Sequence, residues 1–321
     1  MASSVLISNL TQEWMDSMKR WNLQLFCIPA VAITLATFIV NPVLLICIFL
    51  SRALRQETRY LLVANTLTAD MLFLILNLVT LMGNAVEAMI PWIACELLTA
   101  VLVTAYSCAI LTVTLMVVDT FAAVRWPLYY HDVLSPTHTH CILLGVWVLA
   151  AIYPFTLLII VKQERGSPRD DKVPVCLALI SLGFLQVKNV GGILYLYFFV
   201  SALICTFFIF YCYIRLYMVT RTQGIWHSRF SRARVTVLAH GVLLLLYFAP
   251  GFVFTLELYM FQMEGVSQDV RVWISTVNSC VFMLLPRAFA PYLYGLRYRE
   301  IADSVITLLH RHRGLRQITL P

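Results

Sequence analysis

The sequence predicts an all-α integral membrane protein: a bundle of seven membrane-spanning helices followed by a short amphipathic eighth helix. Three observations carry that prediction. Hydrophobic residues make up 61% of the 321-residue chain and charged residues only 12%, whereas an ordinary soluble domain is about 25% charged. Seven apolar runs are each long enough to cross a hydrocarbon layer that takes about 20 helical residues. The runs lack the in–out alternation of a membrane β-barrel, and lipid offers no partner to backbone polar groups left outside a helix or closed barrel.

Taken in order, the first run, Trp21 to Ser51, carries no charge. The second, Tyr60 to Val86, is interrupted only by Asp70. Leu97 to Val118, Val133 to Val161, Asn189 to Ile214 and Val235 to Leu256 are the next four, all without Asp, Glu, Lys or Arg. The seventh, Val272 to Leu296, contains one charge, Arg287. A charge at the centre of a membrane helix costs roughly 3 kcal/mol or more and marks a functional position by default. The connections expected between the runs are short, apart from Lys162 to Lys188, which contains Gly166, Pro168 and Pro174. After Tyr294, the residues Ile301, Val305, Leu308 and Leu309 recur at helical spacing among charges, the pattern of a helix lying on a membrane surface. The organisation expected is an N-terminal segment over 1–22, a seven-span domain over 23–295 and a surface helix with tail over 296–321. No internal repeat of the transporter kind is present.

The basic residues set the orientation. With the N-terminus outside, fourteen lysines and arginines fall in inner segments and eight in outer ones. The expectation is therefore a plasma-membrane protein with an extracellular N-terminus and a cytoplasmic C-terminus. Its net charge of +7 is explained by anionic lipid at the inner face, so the partner implied by composition is the bilayer and not nucleic acid. The first 20 residues lack a basic start followed by an apolar core, so the first span is expected to act as its own insertion signal. Asn9-Leu10-Thr11 fits a glycosylation acceptor on the outer side.

Most of the nine cysteines lie inside spans, where cysteine is usually a small apolar side chain. Cys95 and Cys176 lie outside them and face an oxidising compartment. A bridge between them would close about 80 residues and contribute roughly 4 to 5 kcal/mol in a chain-entropy account; the alternative is two free thiols. His138 with His140, and His310 with His312, are two residues apart, a spacing that does not converge on one metal on a helix. No nucleophile, base and orienting group line up, so nothing points to an enzyme, a metal site or a cofactor.

The chain resembles a class A, rhodopsin-like, G-protein-coupled receptor over essentially its whole length. Asn41 resembles the first-helix asparagine, and Asn65 to Asp70 the second-helix pattern. Trp92 and Cys95 match the start of the third helix, and Trp147 and Pro154 the fourth. Tyr211 matches the inner tyrosine of the fifth, Pro250 the sixth-helix proline, and Pro291 with Tyr294 the seventh-helix motif. Three further stretches resemble an orphan vertebrate group within the family: Gly224-Ile225-Trp226 with Phe230 to Arg234, Leu284 to Arg287, and Pro291 to Tyr294. Tyr294 to Arg297 also resembles fish-type odorant receptors.

The resemblance implies a receptor that carries the binding of an extracellular ligand to a cytoplasmic heterotrimeric G protein, with Asp119, Thr120, Tyr211, Phe248, Pro250, Pro291 and Tyr294 at its activation switch. Departures from the family pattern weaken the coupling expectation. Thr120 stands where the third helix usually carries arginine, Phe248 where the sixth carries tryptophan, Ala290 where the seventh carries asparagine, and Leu203 near the fifth-helix proline. A non-coupling receptor-like scaffold and an odorant or chemosensory receptor are the alternatives. The family's second-helix aspartate holds sodium beside the seventh helix. Here Ala109, Pro286 and Ala290 are poor ligands, and Asp70 with Arg287 is expected to form a buried ion pair in place of the metal. The alternative is an arginine turned into a watery cavity. The ligand pocket that the resemblance implies is drawn from Leu102, Tyr106, Tyr195, Phe199, Phe248, Phe252, Thr255 and Cys280. Leu102 stands where amine receptors carry an aspartate, which argues against a biogenic amine and for a lipid-like, small aromatic or volatile ligand.

Overall fold

The computed structural model describes residues 15–17, 19, 25, 27–86, 88–126, 136–165, 172–173, 176, 190–222, 229–262 and 266–297. Six long helices come first: α1 Cys27–Leu50, α2 Thr58–Ala85, α3 Trp92–Arg125, α4 Pro136–Arg165, α5 Val190–Thr222 and α6 Arg229–Gln262. The seventh span is composite, with α7 Gln268–Val277 and α8 Leu285–Arg297 joined through a wide π turn, Asn278–Phe282. Among the described residues, α1 to α4, α6 and the composite seventh each hold a stretch long and apolar enough to cross a membrane. The apolar stretch of α5 is shorter, Phe199–Arg215. Together they make a seven-helix membrane bundle. Residues 298–321, where the surface helix was expected, and Asn9 lie outside the described residues.

The helices outrun the apolar runs, because a helix need not stop where lipid does. α3 begins five residues before Leu97 and ends at Arg125, and α4 begins at Pro136, within its run, and continues to Arg165, four residues beyond Val161. Proline suits a first turn, since its missing N–H would have no helical partner there. The seventh run departs most from expectation, because it is not one continuous α-helix. Met283 N donates to Asn278 O over 2.9 Å, five residues back, and Leu284 N donates to Val281 O over 3.1 Å. Pro286 supplies no N–H to the carbonyl of Phe282, and the regular ladder gives way immediately before it.

The core gathers around α3, which packs on α2, α4, α5 and α6. Buried alanines Ala64, Ala69, Ala109, Ala150 and Ala290 sit among Leu67, Val113, Met116, Leu243 and Tyr247, and small side chains of this kind let membrane helices approach closely. The outward faces carry Ile39, Leu144, Leu203, Phe207 and Leu245, the surface that lipid covers. Threonine hydroxyls within the spans turn back on their own helices. Thr66 donates to Leu62 O and Thr104 to Ala100 O, which satisfies each one without a neighbour. Cross-helix polar links are made instead by asparagine and tryptophan. Asn65 Nδ2 donates to Thr112 Oγ1 at 2.9 Å, and Trp147 Nε1 donates to Asn65 Oδ1 at 2.9 Å, tying α2, α3 and α4.

At the end of the bundle where α3 begins, Cys95 and Cys176 are joined by a disulfide. Two short strands pair antiparallel beside it, β1 Ile90–Pro91 with β2 Lys172–Val173. Asn84, near the end of α2, holds the backbone of Cys176 from both sides: its Nδ2 donates to Cys176 O at 3.0 Å, and Cys176 N donates to its Oδ1 at 2.7 Å. Ser17 reaches Asp269 of α7 at 2.8 Å, which brings the N-terminal segment to the same end.

Replacing Asn84 by alanine removes both links and should destabilise the bundle by about 1 to 3 kcal/mol. Apparent melting in detergent should fall accordingly, and Asn84→Asp, which keeps the acceptor but loses the donor, should fall between that variant and the wild type.

Candidate functional site

Two opposite charges meet at the middle of the bundle. Asp70 lies on α2 and Arg287 on α8, one turn before Pro291. Arg287 Nε is 3.5 Å from Asp70 Oδ1, and both side chains are 0% exposed. At that distance and an effective dielectric near 20 the attraction is about 4 to 5 kcal/mol. Removing two ions from water costs several kcal/mol for each. The pair alone therefore does not account for its burial, and the surrounding groups must contribute. Nη1 donates to the carbonyl of Met283 within its own span. The guanidinium carbon lies 3.4 Å from the centre of the Phe73 ring and 5.4 Å from the rings of Tyr106 and Tyr247. A desolvated cation facing aromatic rings gains about 2 kcal/mol from the best of such contacts. Phe73 is three residues beyond Asp70, so α2 presents carboxylate and ring on one face.

The second oxygen of Asp70 reaches the sixth helix. Tyr247, fully buried, donates its hydroxyl to Asp70 Oδ2 at 2.5 Å. The backbone of the same segment is held as well. The Tyr106 hydroxyl of α3 donates to the Tyr247 carbonyl, and Asn278 Nδ2, in the π turn, donates to the Pro250 carbonyl at 3.2 Å. Proline breaks the hydrogen-bond ladder of the preceding turn, and polar side chains from two other helices attach at this point of α6. Sequence reasoning missed Phe73, Tyr247 and Asn278. The available signal was Tyr247 itself, a lone phenol closing the run Leu243 to Leu246 three residues before Pro250.

The proposed ligand residues separate into two groups. Leu102 is half-buried on α3, Tyr106 is engaged with α6, and Phe248 is half-buried against the main core. Thr255 is buried, with its hydroxyl on Phe252 O. Phe199 and Phe252 are corrected: they are 51% and 58% exposed on the outer faces of α5 and α6. Phe252 shares its stripe with Leu256 and Tyr259, at the spacing that puts residues on one helix face, so it meets lipid. Cys280 is also corrected. It packs with Ala30, Leu74 and Leu284 toward α1 and α2, because the wide turn changes which residues of the seventh span face inward. Tyr195 lies in α5, with its side chain outside the described residues.

At the opposite end from the disulfide, Asp119 is buried, and Thr120 donates its hydroxyl to Met116 O at 2.8 Å within α3. Tyr294 is buried, with its ring 6.4 Å from that of buried His240 on α6. Tyr211 does not join them. It is 45% exposed, with its ring 6.0 Å from Phe121 and 6.3 Å from Phe207 on the outer side of α5.

The geometry makes the ion pair testable by a double-mutant cycle. Asp70→Asn or Arg287→Met alone should cost about 3 to 5 kcal/mol of stability, since each leaves a buried charge unpaired, and the double substitution should cost less than the sum. Apparent melting and surface expression would measure it; additive losses would refute the coupling.

Comparison with known proteins gives consistent results. The family described as 7 transmembrane receptor (rhodopsin family) matches residues 40–285, a stretch that includes Asp70 and Tyr247 and stops two residues before Arg287. Probable G-protein coupled receptor 148 of Homo sapiens is 32% identical over 87% of this chain and 80% of its own length. Odorant receptor 131-2 of Danio rerio is 24% identical over 82% and 79%. The 5-hydroxytryptamine receptor 6 of Rattus norvegicus is 28% identical over 57% and 40%. Seven membrane helices around a buried charge pair, and a family match across most of their length, lead to one conclusion: this chain belongs to the rhodopsin family of seven-transmembrane receptors.

Proposed function

We propose that the protein sits in the plasma membrane with its N-terminus and the Cys95–Cys176 bridge outside, and transmits the binding of an extracellular non-amine ligand to a cytoplasmic heterotrimeric G protein. The observation that carries this reading is family membership over residues 40–285. The bias of basic residues toward the loops at the Asp119 end supports the orientation. Leu102 supplies no carboxylate to an amine, although one relative is by name a 5-hydroxytryptamine receptor. The remaining candidate walls, Leu102, Tyr106, Phe248 and Thr255, suit a lipid-like, aromatic or volatile ligand. A chemosensory role is the variant supported by likeness to an odorant receptor.

In this reading Arg287 takes the place of the sodium ion at Asp70. Both carriers of positive charge would need the same carboxylate, and a guanidinium at 3.5 Å repels a second cation. Apparent melting of the purified receptor should therefore be the same in sodium chloride and choline chloride at equal ionic strength; a sodium-specific rise would reject the substitution.

A second reading, a receptor-shaped scaffold that does not couple, is favoured by one observation. Thr120 occupies the usual arginine position, and its hydroxyl is spent on its own helix. The two readings separate when Thr120→Arg and wild type are compared for basal cyclic AMP, calcium and arrestin recruitment. The signalling reading expects basal output to rise several-fold in the variant. Silence from both at normal surface expression supports the scaffold.

A further inference from the structure

We infer that Tyr247 is a positioning residue that latches the sixth helix to the buried charge pair, so that the hinge at Pro250 opens only when the Tyr247 hydroxyl leaves Asp70. This rests on the signalling reading above and adds to it that α6 swings about Pro250, which the family resemblance places at the activation switch. Its own support is the convergence of three contacts on residues 247 to 250. Asp70 of α2 accepts from the Tyr247 hydroxyl, Tyr106 of α3 donates to the Tyr247 carbonyl, and Asn278 of the seventh span donates to the Pro250 carbonyl. Three helices thus hold the turn at which α6 has lost a ladder bond to proline.

The contacts are unequal. The two carbonyl contacts are made by neutral groups, whereas the Tyr247 hydroxyl meets an ionised carboxylate, and hydrogen bonds to charged groups are the stronger class. Tyr247 also presents its ring to Arg287 at 5.4 Å, so moving it disturbs both charges. Arg287 gives the latch a defined released state. When the hydroxyl withdraws, Asp70 still faces its cation at 3.5 Å and is not left as a lone charge in lipid. Release therefore costs one charged hydrogen bond and not an ion pair, a difference small enough for a ligand to supply.

The test uses the full chain in lipid nanodiscs, with spin labels on Gln56→Cys and Leu238→Cys. Cys141, the exposed free cysteine among the described residues, and Cys27 are both replaced by serine to remove competing thiols. Gln56 is exposed between α1 and α2, and Leu238 is exposed on α6, twelve residues before Pro250 and so about 18 Å along the helix from it. Tyr247→Phe removes one oxygen, and its effect is read beside Asp70→Asn and the two combined. The expected result is a rise of about tenfold or more in the longer-distance population for Tyr247→Phe, a similar rise for Asp70→Asn, and little further rise when they are combined. Apparent melting recorded on the same samples distinguishes opening from unfolding. If Asp70→Asn lengthens the distance while Tyr247→Phe does not, or if the effects add, the latch is wrong and the moving sixth helix stands. If no variant changes the distance, the receptor-type motion is refuted together with the latch.

Discussion

The arrangement of this bundle depends on the cost of holding an arginine in lipid. Arg287 is fully buried where it lies, and its attraction to Asp70 alone does not offset the loss of bulk water from both ions. The protein offsets the remainder by enclosure: a phenylalanine ring from α2, tyrosine rings from α3 and α6, and a carbonyl of its own span. Four structural elements are therefore committed to one side chain. Helices two, three, six and seven cannot shift independently without exposing part of a guanidinium, and the sixth helix contributes its share beside its own proline. In a membrane, where no hydrophobic force draws helices together, a shared charge of this kind is a strong organising constraint.

The same constraint bears on the departures from the family pattern. Asparagine is absent from position 290, and Ala290 is fully buried in the main core, packed where a polar amide would sit. Arg287, three residues earlier, supplies the positive charge. Polarity has moved by about one turn along the seventh span, and Pro286 with the π turn changes which of its residues face inward. These changes are best read together as one altered local structure.

Much of this could be read from the sequence. The span count followed from charge-free runs, since lipid excludes charge at a cost that no local propensity outweighs. The meeting of Asp70 and Arg287 was expected through the family resemblance, in which the second-helix aspartate faces the seventh helix about one turn before its proline; the isolated charges alone did not pair them. The outer disulfide partners were the cysteines left outside the runs. Other features were hidden for physical reasons. Which face of α5 or α6 meets lipid cannot be read from runs in which nearly every residue is apolar, and Phe199 and Phe252 entered the pocket through the family resemblance alone. Cys280 was misplaced because a π turn changes facing without leaving a periodicity to detect. Tyr247 was overlooked because its role depends on a contact 177 positions away in sequence.

The threonines have a further consequence. Thr34, Thr37, Thr66, Thr68, Thr80, Thr99, Thr104, Thr112, Thr114 and Thr276 each give their hydroxyl to the carbonyl four residues earlier. Such a side chain turns chiefly its methyl group toward its surroundings, and in shape it is nearly a valine. Hydropathy scales count it as polar, yet in a nonaqueous interior it behaves as a branched aliphatic with an internal oxygen. The wettability of this bundle's interior is therefore lower than its composition suggests, although Thr112 also accepts from Asn65 and Thr99 also meets Cys176 Sγ.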